Sequence, residues 1–239
     1  MPISEKSFSD RRQRGVDLQT AVAGFSPAFA PADATLAPAP FLTFLNGLDT
    51  LNTEVGTLEA QYTNGVNQRT PMVADIQDRA LRIHSYVKSN AAWKPFQPAV
   101  KSYVDKIRGN TPRPPKPPAP GEVPGSPPAK KRNKGELGFG DIEDNFEKLI
   151  AALASIPGYA PPAADLTIAN LTTLATDFAT KNLAMSTLGN TIGMKQKARL
   201  DGYDGPGGLK DKMKAIKEAI RSQYGSSAAE YEQVKGIKV

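Results

Sequence analysis

The sequence predicts an all-α chain: two tandem, homologous four-helix-type antiparallel bundles joined by a proline-rich linker. Three observations lead there. Apolar residues recur every three to four positions in long stretches on both sides of the chain's middle, nothing alternates with period two over a useful length, and nine prolines crowd residues 110–136. At 239 residues the chain can hold two modest domains, and 39% hydrophobic with 23% charged residues allows a buried core.

Taken in order, the first stripe is Val16, Leu18, Val22 and Phe25, with Gly15 read as an interruption of its helix. A long second stripe follows at Phe41, Leu45, Leu48, Leu51, Val55, Leu58, Tyr62 and Val66. Val73, Ile76, Ala80, Ile83 and Val87 make a third, and Phe96, Val100, Tyr103 and Ile107 a fourth. Beyond the proline-rich segment, Ile142, Phe146, Leu149, Ile150, Leu153 and Ile156 mark another helix, with Asp141 placed to cap its start and Pro157-Gly158 to stop its end. A longer helix is predicted from about Asp165 into the 190s, along Leu171, Leu174, Phe178, Met185, Leu188 and Ile192. The run Gly202 to Gly208 must turn; Leu209, Met213, Ile216, Ile220 and Tyr224 form the next stripe, and Tyr231, Val234 and Ile237 a short last one. Each stripe needs a facing stripe to exclude water, so residues 1–109 and 137–239 are each expected to close into a bundle. Prolines in 110–136 remove amide donors and fix φ, which makes that segment a spacer favouring polyproline II.

The two sides read as copies. Phe8-Ser9-Asp10 corresponds to Phe139-Gly140-Asp141. At an offset of 130, Leu36 falls on Leu166, Phe41 on Leu171, Leu48 on Phe178 and Asn52 on Asn182. After a shift of three, Asp78, Ile83, Val87 and Ser89 fall on Asp211, Ile216, Ile220 and Ser222.

The second copy carries Phe139-Gly140-Asp141, Asn145-Phe146-Glu147-Lys148-Leu149-Ile150, Ile156-Pro157-Gly158-Tyr159-Ala160-Pro161 and a closing Val234-Lys235-Gly236-Ile237-Lys238-Val239. This pattern resembles a family of small uncharacterised helical proteins from Bacteroidetes, over about 100 residues. The resemblance implies a helical fold and a bacterial, cytoplasmic origin, and it transfers no activity, cofactor or site residue.

The formal charge of +6 sits in one place. Ten Lys/Arg match ten Asp/Glu up to Asp105, and twelve match twelve from Leu137 onward, so residues 106–136 hold the whole excess. With no cysteine, no disulfide, thiolate nucleophile or cysteine metal site can form. His84 is the single histidine, and no Glu-x-x-His spacing suggests a di-metal bundle, so no metal, cofactor or catalytic residue is expected. No apolar run approaches the roughly 18 residues that cross a bilayer, and Met1-Pro2-Ile3-Ser4-Glu5-Lys6 lacks the form of a secretory signal, so a soluble cytoplasmic chain is expected.

Within the second copy, residues 137–180 carry one base against six acids and residues 181–221 nine bases against four acids, a polarity expected to neutralise itself across that bundle. These features predict a non-enzymatic structural or adaptor protein that uses bundle faces for protein–protein association, including self-association. The alternative is a nucleic-acid-binding accessory protein whose phosphate contacts are Lys130, Lys131, Arg132, Lys134, Lys195, Lys197, Arg199, Lys210, Lys214 and Lys217.

Overall fold

A computed structural model describes residues 5–109 and 138–239, with no strand among them. The all-helical expectation holds. The spacer at 110–136 lies outside the described residues. The helices are α1 (Glu5–Ala23), α2 (Pro38–Ser89), α3 (Gln97–Ile107), α4 (Phe139–Ala154), α5 (Ile168–Asp204), α6 (Leu209–Tyr224) and α7 (Ala229–Lys235). Short 3-10 turns at Ala34–Leu36, Ala91–Phe96 and Ala164–Leu166 lead into the helices that follow them.

Local readings need four corrections. Gly15 does not interrupt α1. A Cβ there would lie 2.7 Å from Leu45 Cδ2 and 3.1 Å from Leu209 Cδ1, so glycine lets the helix approach its neighbours closely. Asp141 is not the cap of α4: Gly138 occupies that position, and Asp141 lies in the first turn, where its charge complements the helix N-terminus. Pro157-Gly158 does follow the end of α4, with Gly158 at φ +73°, a conformation that side chains disfavour. The turn near Gly202 begins later than expected, because α5 continues through Asp204.

The fourth correction reshapes the fold. The stripes at 41–66 and 73–87, expected as two helices, belong to the single 52-residue helix α2, which runs through Pro71. Proline removes one amide donor and crowds the preceding turn, yet the apolar stripe continues across it as Val66, Arg69, Val73 and Ile76, at spacings of three and four. An uninterrupted helix cannot fold back on itself, so residues 73–87 cannot cover the stripe at 41–58.

Something else must cover it, and the contacts show what. The chain forms two compact units, one of residues 1–62 with 188–239 and the other of residues 63–187. The expected boundaries at 1–109 and 137–239 do not coincide with these units, since each unit draws on both sides of the proline-rich segment. In the first unit, Phe8, Leu18, Phe41, Leu45 and Leu48 share a core with Tyr203, Leu209, Met213, Ile216 and Val234, and α1 packs on α6 and α7. In the second, Ile76, Ile83, Val100 and Ile107 share a core with Ile142, Phe146, Leu149 and Phe178, and α3 packs along α4. Burial of such side chains is worth about 1.5–3 kcal/mol each before ordering entropy, so these two sets decide which segments stay together.

Candidate interaction surfaces

In the second unit, α5 presents an exposed row at Ala169, Thr173, Thr176, Thr180, Leu183 and Thr187. The spacing alternates four and three, the repeat that lets one helix lie along another. Every threonine in the row turns its hydroxyl inward. Thr173 donates to the Ala169 carbonyl at 3.1 Å, Thr176 to Thr172 at 3.0 Å, Thr180 to Thr176 at 2.8 Å and Thr187 to Leu183 at 3.0 Å. With the hydroxyl proton bonded to its own helix, each threonine has no free donor to offer a partner, and the row is less polar than its composition suggests. Leu183, next to the C-terminal end of the row, is 70% exposed. Between Ala169 and Thr187 the helix carries only two charges, Asp177 and Lys181, and Lys181 is half-buried and donates to Gln68 Oε1 at 3.4 Å.

The first unit has a related face on α2, where Thr43, Asn46, Thr50, Thr53 and Thr57 are exposed. Thr43 donates to the Ala39 carbonyl at 3.2 Å and Thr50 to Asn46 at 3.1 Å. Beside it runs an open groove of about 490 Å³, lined by Thr50, Thr53, Thr57, Leu58, Thr191 and the Lys195–Glu54 pair, whose ammonium and carboxylate are 2.7 Å apart.

The predicted phosphate contacts meet different surroundings. Lys130, Lys131, Arg132 and Lys134 lie outside the described residues. Lys195 is paired with Glu54, and Lys197 with Asp201 at 2.7 Å one turn on. Arg199 was expected at the surface and is 7% exposed, with its guanidinium 4.5 Å from the centre of the Phe8 ring. Lys217 donates to the carbonyls of Lys235 and Ile237, and burial lowers its pKa. Lys210 and Lys214 remain exposed on α6.

The expected neutralisation within the second copy is also replaced. Its acidic stretch lies in the unit of residues 63–187, and its basic stretch, apart from Lys181, lies in the other. Long-range pairs join opposite sides of the sequence instead: Arg82 with Asp165 at 2.6 Å, Arg11 with Asp204 at 2.6 Å, and Lys195 with Glu54. The arginine hydrogen bonds hold the Asp165 and Asp204 carboxyls below the usual carboxylate range.

A second buried arginine escaped the sequence reading. Arg69, 6% exposed, places its guanidinium 3.9 Å from the centre of the Phe139 ring and donates to Asn182 Oδ1 at 3.0 Å. Asn182 in turn donates to Glu143 Oε2 at 2.6 Å, so the buried cation is linked to an acid through one amide. Glu143 is thereby committed to this buried network. His84 stands near Lys101, Lys88 and Asp105, and its pKa is lowered, first by burial and then by Lys101. Tyr159 donates to the Leu166 carbonyl at 3.1 Å, and burial pushes its pKa up to about 12. No described helix is long and apolar enough to cross a membrane.

Comparison of the chain with family models, curated proteins and solved structures gives no match.

Proposed function

We propose that the chain is a non-enzymatic adaptor that binds a protein partner along an exposed helix face. The observation that carries this reading is the α5 row from Ala169 to Thr187, whose hydroxyls are bonded to their own helix and which includes the 70% exposed Leu183. Its four-three spacing matches a helix as the opposing element. A single exposed leucine needs no special account, but a leucine in a row of exposed threonines whose hydroxyl donors are already bonded belongs to a strip of low polarity. The homologous character of the two sides of the sequence supports a chain that presents such a strip twice, the second time at Thr43, Thr50 and Thr57.

The test is the Leu183→Asp variant. It is expected to keep its helical dichroism while losing self-association by light scattering and losing whatever protein the unaltered chain retains in a pull-down. A strictly monomeric parent that retains no protein overturns the reading. The phosphate-binding alternative has less support, because Arg199 is in the core and Lys195, Lys197 and Lys217 have partners; Lys210 and Lys214 are what α5 and α6 leave to it.

A further inference from the structure

We propose that the chain consists of two repeats that have exchanged their trailing helices. The leading segment of each repeat, 1–62 or 138–187, is then a docking surface, and its occupant is the trailing segment of the other repeat within the same chain, 188–239 or 63–109.

The buried arginines carry the argument. Arg69 and Arg199 are 130 residues apart, the offset that relates Leu36 to Leu166 and Asn52 to Asn182. Each covers a phenyl ring at the start of a first helix, Phe139 in α4 and Phe8 in α1. In both units the arginine comes from one repeat and the ring from the other. A pair of ordinary bundles would instead place Arg69 on Phe8 and Arg199 on Phe139.

Two further sets of contacts follow the same rule. The connector after the first helix is held in each unit by the other repeat. Tyr224 donates to the Pro27 carbonyl at 2.6 Å and Gln223 to the Ala28 carbonyl at 2.9 Å, while Tyr86 donates to the Ala160 carbonyl at 2.8 Å and Trp93 to Pro157 at 3.1 Å. Arg79 donates to the Asp165 carbonyl at 2.8 Å, and its counterpart Lys212 donates to Thr35 Oγ1 at 3.5 Å, where Thr35 is the counterpart of Asp165.

Charge fits the same scheme. Residues 1–62 hold four bases and seven acids, a net −3, and residues 138–187 two bases and six acids, a net −4. Residues 63–109 hold eight bases and three acids, a net +5, and residues 188–239 ten bases and six acids, a net +4. Leading segments are acidic and trailing segments basic, whichever repeat supplies them, so opposite signs meet in each unit. Charge alone would also let each repeat close on itself. The continuity of α2 and α5 disfavours that, because an uninterrupted helix cannot turn back to cover its own leading stripe.

The experiment uses the full chain with a protease recognition sequence inserted between Gly121 and Glu122. After complete cutting, the two pieces are expected to elute together, at the same position as the uncut 25.5 kDa chain, and to part only in denaturant. Two species of about half that mass, in the absence of denaturant, would overturn the proposal. A second measurement does not depend on how the cut protein behaves. The chain has no native cysteine, so Arg11→Cys with Asp204→Cys can be bridged by a short bis-maleimide in dilute solution before cutting. A product of full-length mass that persists in denaturant supports the exchange. Unlinked pieces after cutting, or a bridged product that already has twice the chain mass in denaturant before cutting, would count against it.

Discussion

At the scale of single residues, the two buried arginines explain more of this protein than its surface lysines do. Arg69 gives up hydration and regains part of it from a ring face, from Asn182 and, one step further, from Glu143, while its buried Nε has no hydrogen-bond partner among the described residues. A desolvated cation over an aromatic ring contributes about 2 kcal/mol, and a hydrogen bond from a charged donor about 1.5–3 kcal/mol. Arg69→Ala is expected to lower stability by roughly 3 kcal/mol in urea unfolding, since it also leaves Asn182 without its donor and opens a cavity. Arg69→Met keeps most of the packed stem and is expected to cost distinctly less. Equal costs for the two would show that the packed stem contributes nothing and that the guanidinium carries the whole effect. Both arginines were legible in principle. Tyr62, Val66, Arg69, Val73 and Ile76 keep a four-three spacing, as do Ile192, Arg199 and Tyr203 at longer steps, so each arginine lies on an apolar stripe. Counting Arg199 among solvent-exposed bases ignored its register.

At the scale of helices, apolar periodicity located every long element, and what it missed was continuity. A stripe that runs unbroken from Phe41 to Val87 describes one helix as well as two, and Pro71 alone does not stop α2 when buried residues on both sides fix its path. That one difference moves residues 63–89 from one compact unit to the other. It also assigns α7 a neighbour at the far end of the sequence, because α1 packs on α6 and α7. A chain ending at Gly225, which lacks α7, is therefore expected to lose amide-exchange protection in α1 while α4 keeps its own. Loss of protection in α4 with α1 unchanged would instead fit a bundle confined to residues 137–239. The exposed rows on α2 and α5 were partly legible too, as threonines at seven-residue spacing, but inward hydroxyl bonding is a matter of rotamer that composition does not carry.

At the scale of the whole molecule, the acid response should have two stages. The folded-state pKa of His84 is below its usual value, so below about pH 6.5 the unfolded chain binds more protons. The stability this confers is present above the unfolded pKa and is lost as pH falls through the folded one. The carboxyls of Asp165 and Asp204 are likewise depressed, so their contribution is present above about pH 3.9 and is lost at lower pH. Urea midpoints measured from pH 8 to pH 3 are expected to begin falling near pH 6.5 and to fall more steeply below pH 4. His84→Asn should flatten the first stage and leave the second, and an unchanged first stage would mean that other groups set it.

The sequence by itself determined that this chain is helical, where its apolar stripes run, and that acidic and basic stretches alternate along it. Each of these is a local property, because a helix chooses its buried face from residues three and four apart. Only the tertiary structure decided which stripe covers which. Stripes of the same period are nearly interchangeable partners, so the sequence pattern leaves open which segments close on each other. That is set by how Arg69, Ile76, Arg199 and Tyr203 are packed after the segments have met.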